Sequence, residues 1–142
     1  MKYKERDIAY LAGLIDGEGH IRIAYTVANQ FSKKHQWSMA IVISNTNTEV
    51  LNWVKKKFGG YVYRSQKATK FHKAAFKWVL NTKEANRLSK IVLPFSIIKR
   101  RQLQLLSTIK VNGLGVNISR NERQKSLKAI QEINILNRRG PA

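Results

Sequence analysis

The chain contains no cysteine, only two prolines and only eight acidic residues in 142. Without cysteine there can be no disulfide and no thiolate metal site. The three histidines, His20, His35 and His72, are too scattered to suggest a histidine-ligated metal. No apolar run approaches the length needed to span a bilayer, and no charged-then-apolar leader opens the chain. The expectation is a protein that is neither secreted nor membrane-bound, working inside a prokaryotic cell or in an organelle that encodes it.

The shortage of acid matters most. Twenty-seven Lys and Arg leave a formal net charge of +19 and a pI near 10.6, a charge that repels itself unless an anionic partner neutralises it. Nucleic acid is the first candidate and an anionic membrane the second. Between Gly19 and Thr82 the only acid is Glu49, against eleven Lys and Arg, and from Ala85 to Asn121 there is none. Apolar content of 43% is that of an ordinary folded protein, and the length suits one domain over 1–142.

Periodicity supplies the element order. Ile8, Leu11, Leu14 and Ile15 form a helical stripe, with Ala9 and Gly13 four apart on an adjacent face, and Gly17 and Gly19 are expected to end the helix in the left-handed conformation. "HIRIAYTVA" from His20 and "QWSMAIVIS" from Gln36 alternate as strands, burying Ile21, Ile23, Tyr25, Trp37, Met39, Ile41 and Ile43. "NTNTEVLNWVKKKFGG" reads as a capped helix ending at Gly59-Gly60. "YVYRSQ" from Tyr61 and "AAFKWVLN" from Ala74 form a second strand pair, with Phe76, Trp78 and Leu80 inward. Thr82 to about Val92 is helical and Pro94 breaks the run. A helix with Ile98, Gln102, Leu105, Leu106 and Ile109 on one side follows, then a Gly113/Gly115 turn. Ser119 and Glu122 have capping-box spacing for a last helix with Leu127, Ile130 and Ile133.

The fold class is therefore α+β, with two αββ halves and C-terminal helices, and helices on one face of an antiparallel sheet. The other face is left open. Alternate residues place Arg22, Ala24, Thr26, Gln36, Ser38, Ala40, Tyr63, Ser65 and Lys77 on it, small, polar and basic, as a sheet entering a major groove requires.

One stretch is more specific than any of this. "LAGLIDGEG", Leu11 to Gly19, matches seven of the nine letters of the LAGLIDADG homing-endonuclease motif, with Gly17 for alanine and Glu18 for aspartate. The chain resembles that family from about Asp7 to Ile109; the helices after Gly115 have no motif to anchor them. The resemblance implies an αββαββα fold with a saddle of strands astride double-stranded DNA. It also implies site-specific cleavage of a long pseudo-palindromic target across the minor groove, leaving 3′ overhangs, by a protein whose gene sits in a mobile element.

By the resemblance, the acid at the eighth motif position ligates the metal, which falls on Glu18 with the carbonyl of Gly17 beside it. Mg²⁺ accepts a few carboxylate or carbonyl ligands and keeps several waters, and Mn²⁺ is expected to substitute. Asp16 is read as a structural residue of the helix end. "LPFSIIKRRQ" resembles the segment supplying an active-site lysine, here Lys99, though a lysine on such a helix also suits a phosphate contact. Asn45 stands where some members place a glutamine near the metal-bound water, and asparagine there is also a common helix N-cap. Glu49 replaces a residue that is basic in some relatives. His20, next to the motif, is placed within reach of DNA.

The motif occurs once, which implies a homodimer with the motif helices packed together through Ala9, Ala12 and Gly13. An intron RNA maturase acting on its own intron RNA, and a DNA-binding regulator without cleavage, share the basic surface; a regulator gives no reason to keep an acid at Glu18.

Overall fold

Met39, Ile41 and Ile43 of one central strand and Trp78 and Leu80 of the other are buried toward one side of the sheet, and that side sets the architecture. The computed structural model describes residues 2–27, 35–109 and 120–138, with side chains at 25–27 and 35–37 outside the description. Its order is α1 (Glu5–Glu18), β1 (Gly19–Val27), β2 (His35–Asn45), α2 (Thr48–Phe58), β3 (Tyr61–Gln66), β4 (Ala75–Asn81), α3 (Thr82–Val92), a 3-10 turn (Leu93–Phe95), α4 (Arg100–Thr108) and α5 (Arg120–Leu136). The expected mixed α and β order is present. Gly113, Gly115 and Ser119 lie outside the described residues, as do the side chains of Tyr25 and Trp37.

The strands form one antiparallel sheet in the order β1-β2-β4-β3. Gly19 pairs with Ile43, Ile43 with Trp78, and Val62 with Trp78, so one register runs across the sheet. Paired residues share a face. Ile21, Ile23, Met39, Ile41, Ile43, Trp78 and Leu80 form the buried face, and Ile8, Leu11 and Ile15 of α1, Leu51 and Val54 of α2, and Leu88 and Val92 of α3 pack in the same core. Each such side chain contributes roughly 1.5–3 kcal/mol of burial. Phe76 is only partly buried.

The glycine ends of α1 and α2 are built differently. Gly17 lies inside α1, and Gly19 is extended at φ −84°, not left-handed as the sequence suggested. Glycine is needed at 19 because a Cβ there would stand 2.5 Å from the Ile15 carbonyl oxygen. Left-handed glycines occur at the end of α2, where Gly59 and Gly60 both have φ +84°. The turn lets the Gly59 carbonyl accept from Trp78 Nε1 at 2.7 Å, satisfying the polar end of the largest buried side chain.

α4 begins later than its apolar periodicity implied: Ile98 precedes it and is 69% exposed. Buried Asn86 of α3 donates to the carbonyls of Leu106 and Ile109 at 2.8 and 2.9 Å, closing the C-terminal end of α4. α5 buries Ala129 and Ile133, while Leu127 is exposed. It is joined to α4 by Arg101, whose Nη2 donates to Glu132 Oε1 at 2.8 Å and whose Nε donates to Oε2.

Candidate active site

The motif residues end α1 where it turns into β1. Two steps of about 100° around the helix separate Asp16 from Glu18, so the carboxylates point to nearly opposite sides. Glu18 is exposed. The helix has no basic residue in its last turn, although its macrodipole makes that end negative. An intrahelical partner for the Gly17 carbonyl would have to come from residue 21, which is already in β1, so that oxygen faces out of the helix end. An exposed carboxylate, an outward carbonyl and the negative end of a helix suit a hard cation. The set is also small, since no group of three or more His, Asp or Glu side chains gathers anywhere among the described residues. Water, phosphate or a second copy would have to complete the shell of any cation held there.

Asp16 turns the other way, to a segment eighty residues on. Its Oδ1 accepts from Ser96 Oγ at 2.5 Å and from the Lys99 amide at 3.0 Å, and its Oδ2 from the Ile97 amide at 2.8 Å. Burial pushes the Asp16 pKa up, but the bonds from Ser96 and from the amides of Ile97, Lys99 and Ile98 outweigh it and hold the carboxyl below its ordinary value. The bonds bring Lys99, half-buried and at the N-cap of α4, against the end of the motif helix.

Asn45 arrives by the ladder. Gly19 and Ile43 pair at the first rung of β1, so Glu18, one residue before it, and Asn45, two after it on β2, lie at the same end of the hairpin. The N-cap of α2 is Asn47, whose Oδ1 accepts from the Val50 amide at 3.2 Å; Asn45 Oδ1 accepts from the Asn47 amide at 2.9 Å. Asn45 Nδ2 takes no part in that bond and is a donor by nature. Glu49 lies elsewhere, lining a groove with Arg6, Tyr10 and Trp53 at the opposite half of α1.

The open face of the sheet is arranged in rows. His20, Val42, Val79 and Tyr61 form one, Arg22, Ala40 and Asn81 another, and Ser44, Lys77 and Tyr63 a third, with Ala24 opposite Ser38. Thr26 pairs with Gln36, but both side chains lie outside the described residues. Ala40 corrects the sequence reading: it is 2% exposed and forms a small apolar floor with Val42 and Val79, so it supports the face without projecting from it. Ser65 falls in the register shift between Arg64 and Gln66, where strict alternation fails. Exposed Tyr61, stacked on Tyr63 with centroids 6.0 Å apart, belongs to the face. Alternation two residues before Tyr63 was the signal for it.

On α1, Ala9, Gly13 and Gly17 are exposed at four-residue spacing, and a Cβ at Gly13 or Gly17 would meet nothing within 4 Å. Ala12 does not share that face; it is fully buried in the chain's own core, because it follows the Ile8–Leu11–Ile15 side of the helix.

The fold has counterparts. The LAGLIDADG endonuclease profile matches residues 11–112. No curated protein matches significantly. Among solved structures, an archaeal intron-encoded homing endonuclease, I-Vdi141I, complexed with DNA, superposes with a TM-score of 0.72 at 17% identity, over 96% of this chain and 87% of that one. The homing endonuclease I-CvuI in complex with the I-CreI target gives 0.72 at 16% identity, over 97% and 86%. The homing endonuclease I-TnaI gives 0.58 at 19%, over 89% and 87%. At such identities the superpositions speak for the fold, and the profile, spanning most of the chain and including Glu18, Asn45 and Lys99, speaks for descent: the chain belongs to the LAGLIDADG endonuclease family.

Proposed function

We propose that this endonuclease works as a homodimer that cuts both strands of a long pseudo-palindromic DNA duplex by divalent-metal-dependent hydrolysis, leaving 3′ overhangs. The observation that carries the reading is Glu18: an exposed carboxylate at the negative end of a helix, in a chain of net charge +19, with no base in that turn to neutralise it. A carboxylate so placed is unfavourable for the helix and repels phosphate until a cation intervenes. Bound there, Mg²⁺ would supply an activated water and charge neutralisation at the phosphate.

The chain's own groups take the remaining roles. Glu18 and the Gly17 carbonyl hold the cation, Lys99 offers positive charge to the phosphoryl oxygens, and Asn45 Nδ2 orients water at the end of the hairpin. Arg22, Lys77, Ser38, Tyr63 and His20 face the duplex. Complexes of I-CvuI with DNA targets in the presence of 2 mM Mg and of 2 mM Ca favour divalent-metal use.

One chain brings one such acid, and two strands need two sites. Glycine inside a helix costs about 1 kcal/mol relative to alanine, and nothing in the chain's own packing requires it at Gly13 or Gly17. Together with Ala9 they form a strip on which a second α1 can pack closely. Ile97 and Ile98, 81% and 69% exposed, add apolar surface at the same helix end. A two-fold dimer reads a pseudo-palindrome because its half-sites are symmetric.

The test begins with selection of bound duplexes from a random DNA pool in Ca²⁺, followed by transfer to Mg²⁺. A long pseudo-palindrome should be recovered and cut on both strands by the native protein, and bound but left whole by Glu18→Gln. Binding without cutting in either Mg²⁺ or Mn²⁺ defeats the reading.

A further inference from the structure

The second acid of the motif has a role that its position in the sequence conceals. We propose that Asp16 is a positioning residue for the cleavage reaction: it locks the backbone from Ser96 to Lys99 onto the end of α1, and so fixes the Lys99 ammonium relative to Glu18. The proposal rests on the roles assigned above to Glu18 and Lys99.

The geometry is specific. A carboxylate that served only its own helix end would bond within its own turn. Asp16 instead accepts from Ser96, Ile97 and Lys99, which are 80, 81 and 83 residues away in sequence. The segment it holds belongs to no helix or strand. It lies between the 3-10 turn and α4, and Lys99 has the non-helical angles φ −96° and ψ 12°.

Other bonds fix the ends of the segment. The Ser96 amide donates to the Leu93 carbonyl at 3.3 Å, Arg100 Nε to the Ser96 carbonyl at 2.9 Å, and the Leu103 amide to the Lys99 carbonyl at 3.0 Å. These join the segment to its own neighbours in the chain. The bonds Asp16 accepts from Ser96, Ile97 and Lys99 instead join it to the motif helix, two residues before Glu18. Both carboxylate oxygens are used, so asparagine can keep the Ser96 and Lys99 bonds through its one oxygen but sets an NH₂ against the Ile97 amide. The motif therefore carries two acids one residue apart because one is aimed at the cation and the other at the segment that brings the lysine.

Double-mutant kinetics test this on the selected duplex. Single-turnover cleavage in Mg²⁺ and equilibrium binding in Ca²⁺ are measured for the native protein, Asp16→Ala, Lys99→Met and the double variant. Asp16→Ala is expected to slow cleavage by about tenfold to a hundredfold, the effect of a small misplacement of a catalytic group, with binding changed less than about threefold. In the Lys99→Met background the same substitution should cost less than about twofold. Asp16→Asn should fall between native and Ala, and Ser96→Ala, which removes one donor, gives a milder loss of the same kind if Asp16→Ala does not fold. Equal slowing by Asp16→Ala in both backgrounds, or no slowing in a native protein that cuts, overturns the proposal alone. A native protein that binds and never cuts overturns the endonuclease reading and this proposal with it.

Discussion

Two helices of this molecule deliver the chain into antiparallel strands from equivalent places in the αββ halves, and they end in opposite ways. The last turn of α2 carries Lys55, Lys56 and Lys57 and passes into left-handed Gly59. The last turn of α1 carries Asp16 and Glu18 with no base, and passes without a left-handed residue into β1. Cations at a helix C-terminus are favoured by roughly 0.3–1 kcal/mol each, and anions disfavoured in like measure. A chain with 27 basic residues has placed two of its eight acids where helix electrostatics oppose them. The α2 end obeys the rule and supports the fold. The α1 end breaks it: Asp16 is bonded to Ser96, Ile97 and Lys99, and Glu18 is the acid proposed above to hold the cation.

The comparison can be broken most severely at the carboxylate. Glu18→Gln should slow strand cleavage by about a thousandfold, since several kcal/mol of charge stabilisation are removed, whereas Lys57→Gln at the other helix end should leave the rate within about twofold. Gel-based single-turnover assays on the selected duplex measure both. Next in size, Gly60→Ala should lower unfolding stability by about 2 kcal/mol or more in urea titration. Its Cβ would stand 2.6 Å from the Val79 carbonyl oxygen at φ +84°. Gly19→Ala should be of similar magnitude for the different reason of contact with Ile15.

A smaller effect of opposite sign distinguishes the glycines of α1. Gly17→Ala meets open space, so the single chain should gain up to about 1 kcal/mol of helix stability, while sedimentation should show weaker self-association. Unaltered association would remove the Ala9–Gly13–Gly17 strip from the interface.

The smallest effect lies far from both helix ends. The bonds from Arg101 hold the Glu132 pKa below its ordinary 4.5, against a weaker opposing effect of burial. A lowered folded pKa means the contribution is present above about pH 4.5 and is lost as pH falls through the depressed value. Thermal melts of native and Glu132→Gln protein should therefore differ slightly at pH 6 and converge as the pH falls through that depressed value.

Local pattern carried much of the architecture. The strand Tyr61–Gln66 and the helix Thr82–Val92 have the bounds their periodicity implied, because alternation and helical stripes are short-range signals. The nine-residue motif carried the family. What was not legible is what depends on distant pairing. The β2–β4 adjacency buries Ala40 and Val42 against Val79 on a face expected to project small, polar and basic residues. Ser65 lost its place to a register shift that alternation cannot foresee. Asp16 read as a helix-end acid because its partners are eighty residues away, and Ala12 read as a surface residue because small side chains leave their face undetermined.

The contact between α5 and β1 also bears on how copies of this protein can meet. Asn137 Nδ2 donates to the Ile21 carbonyl at 2.7 Å, which occupies a backbone acceptor of an edge strand that could otherwise recruit another strand. On the far edge, β3 is short and interrupted by its register shift, with exposed Arg64 beside it. Sheet-to-sheet polymerisation is thus obstructed at both margins, so a chain that leaves one whole face of its sheet open can be concentrated without adding strands to itself.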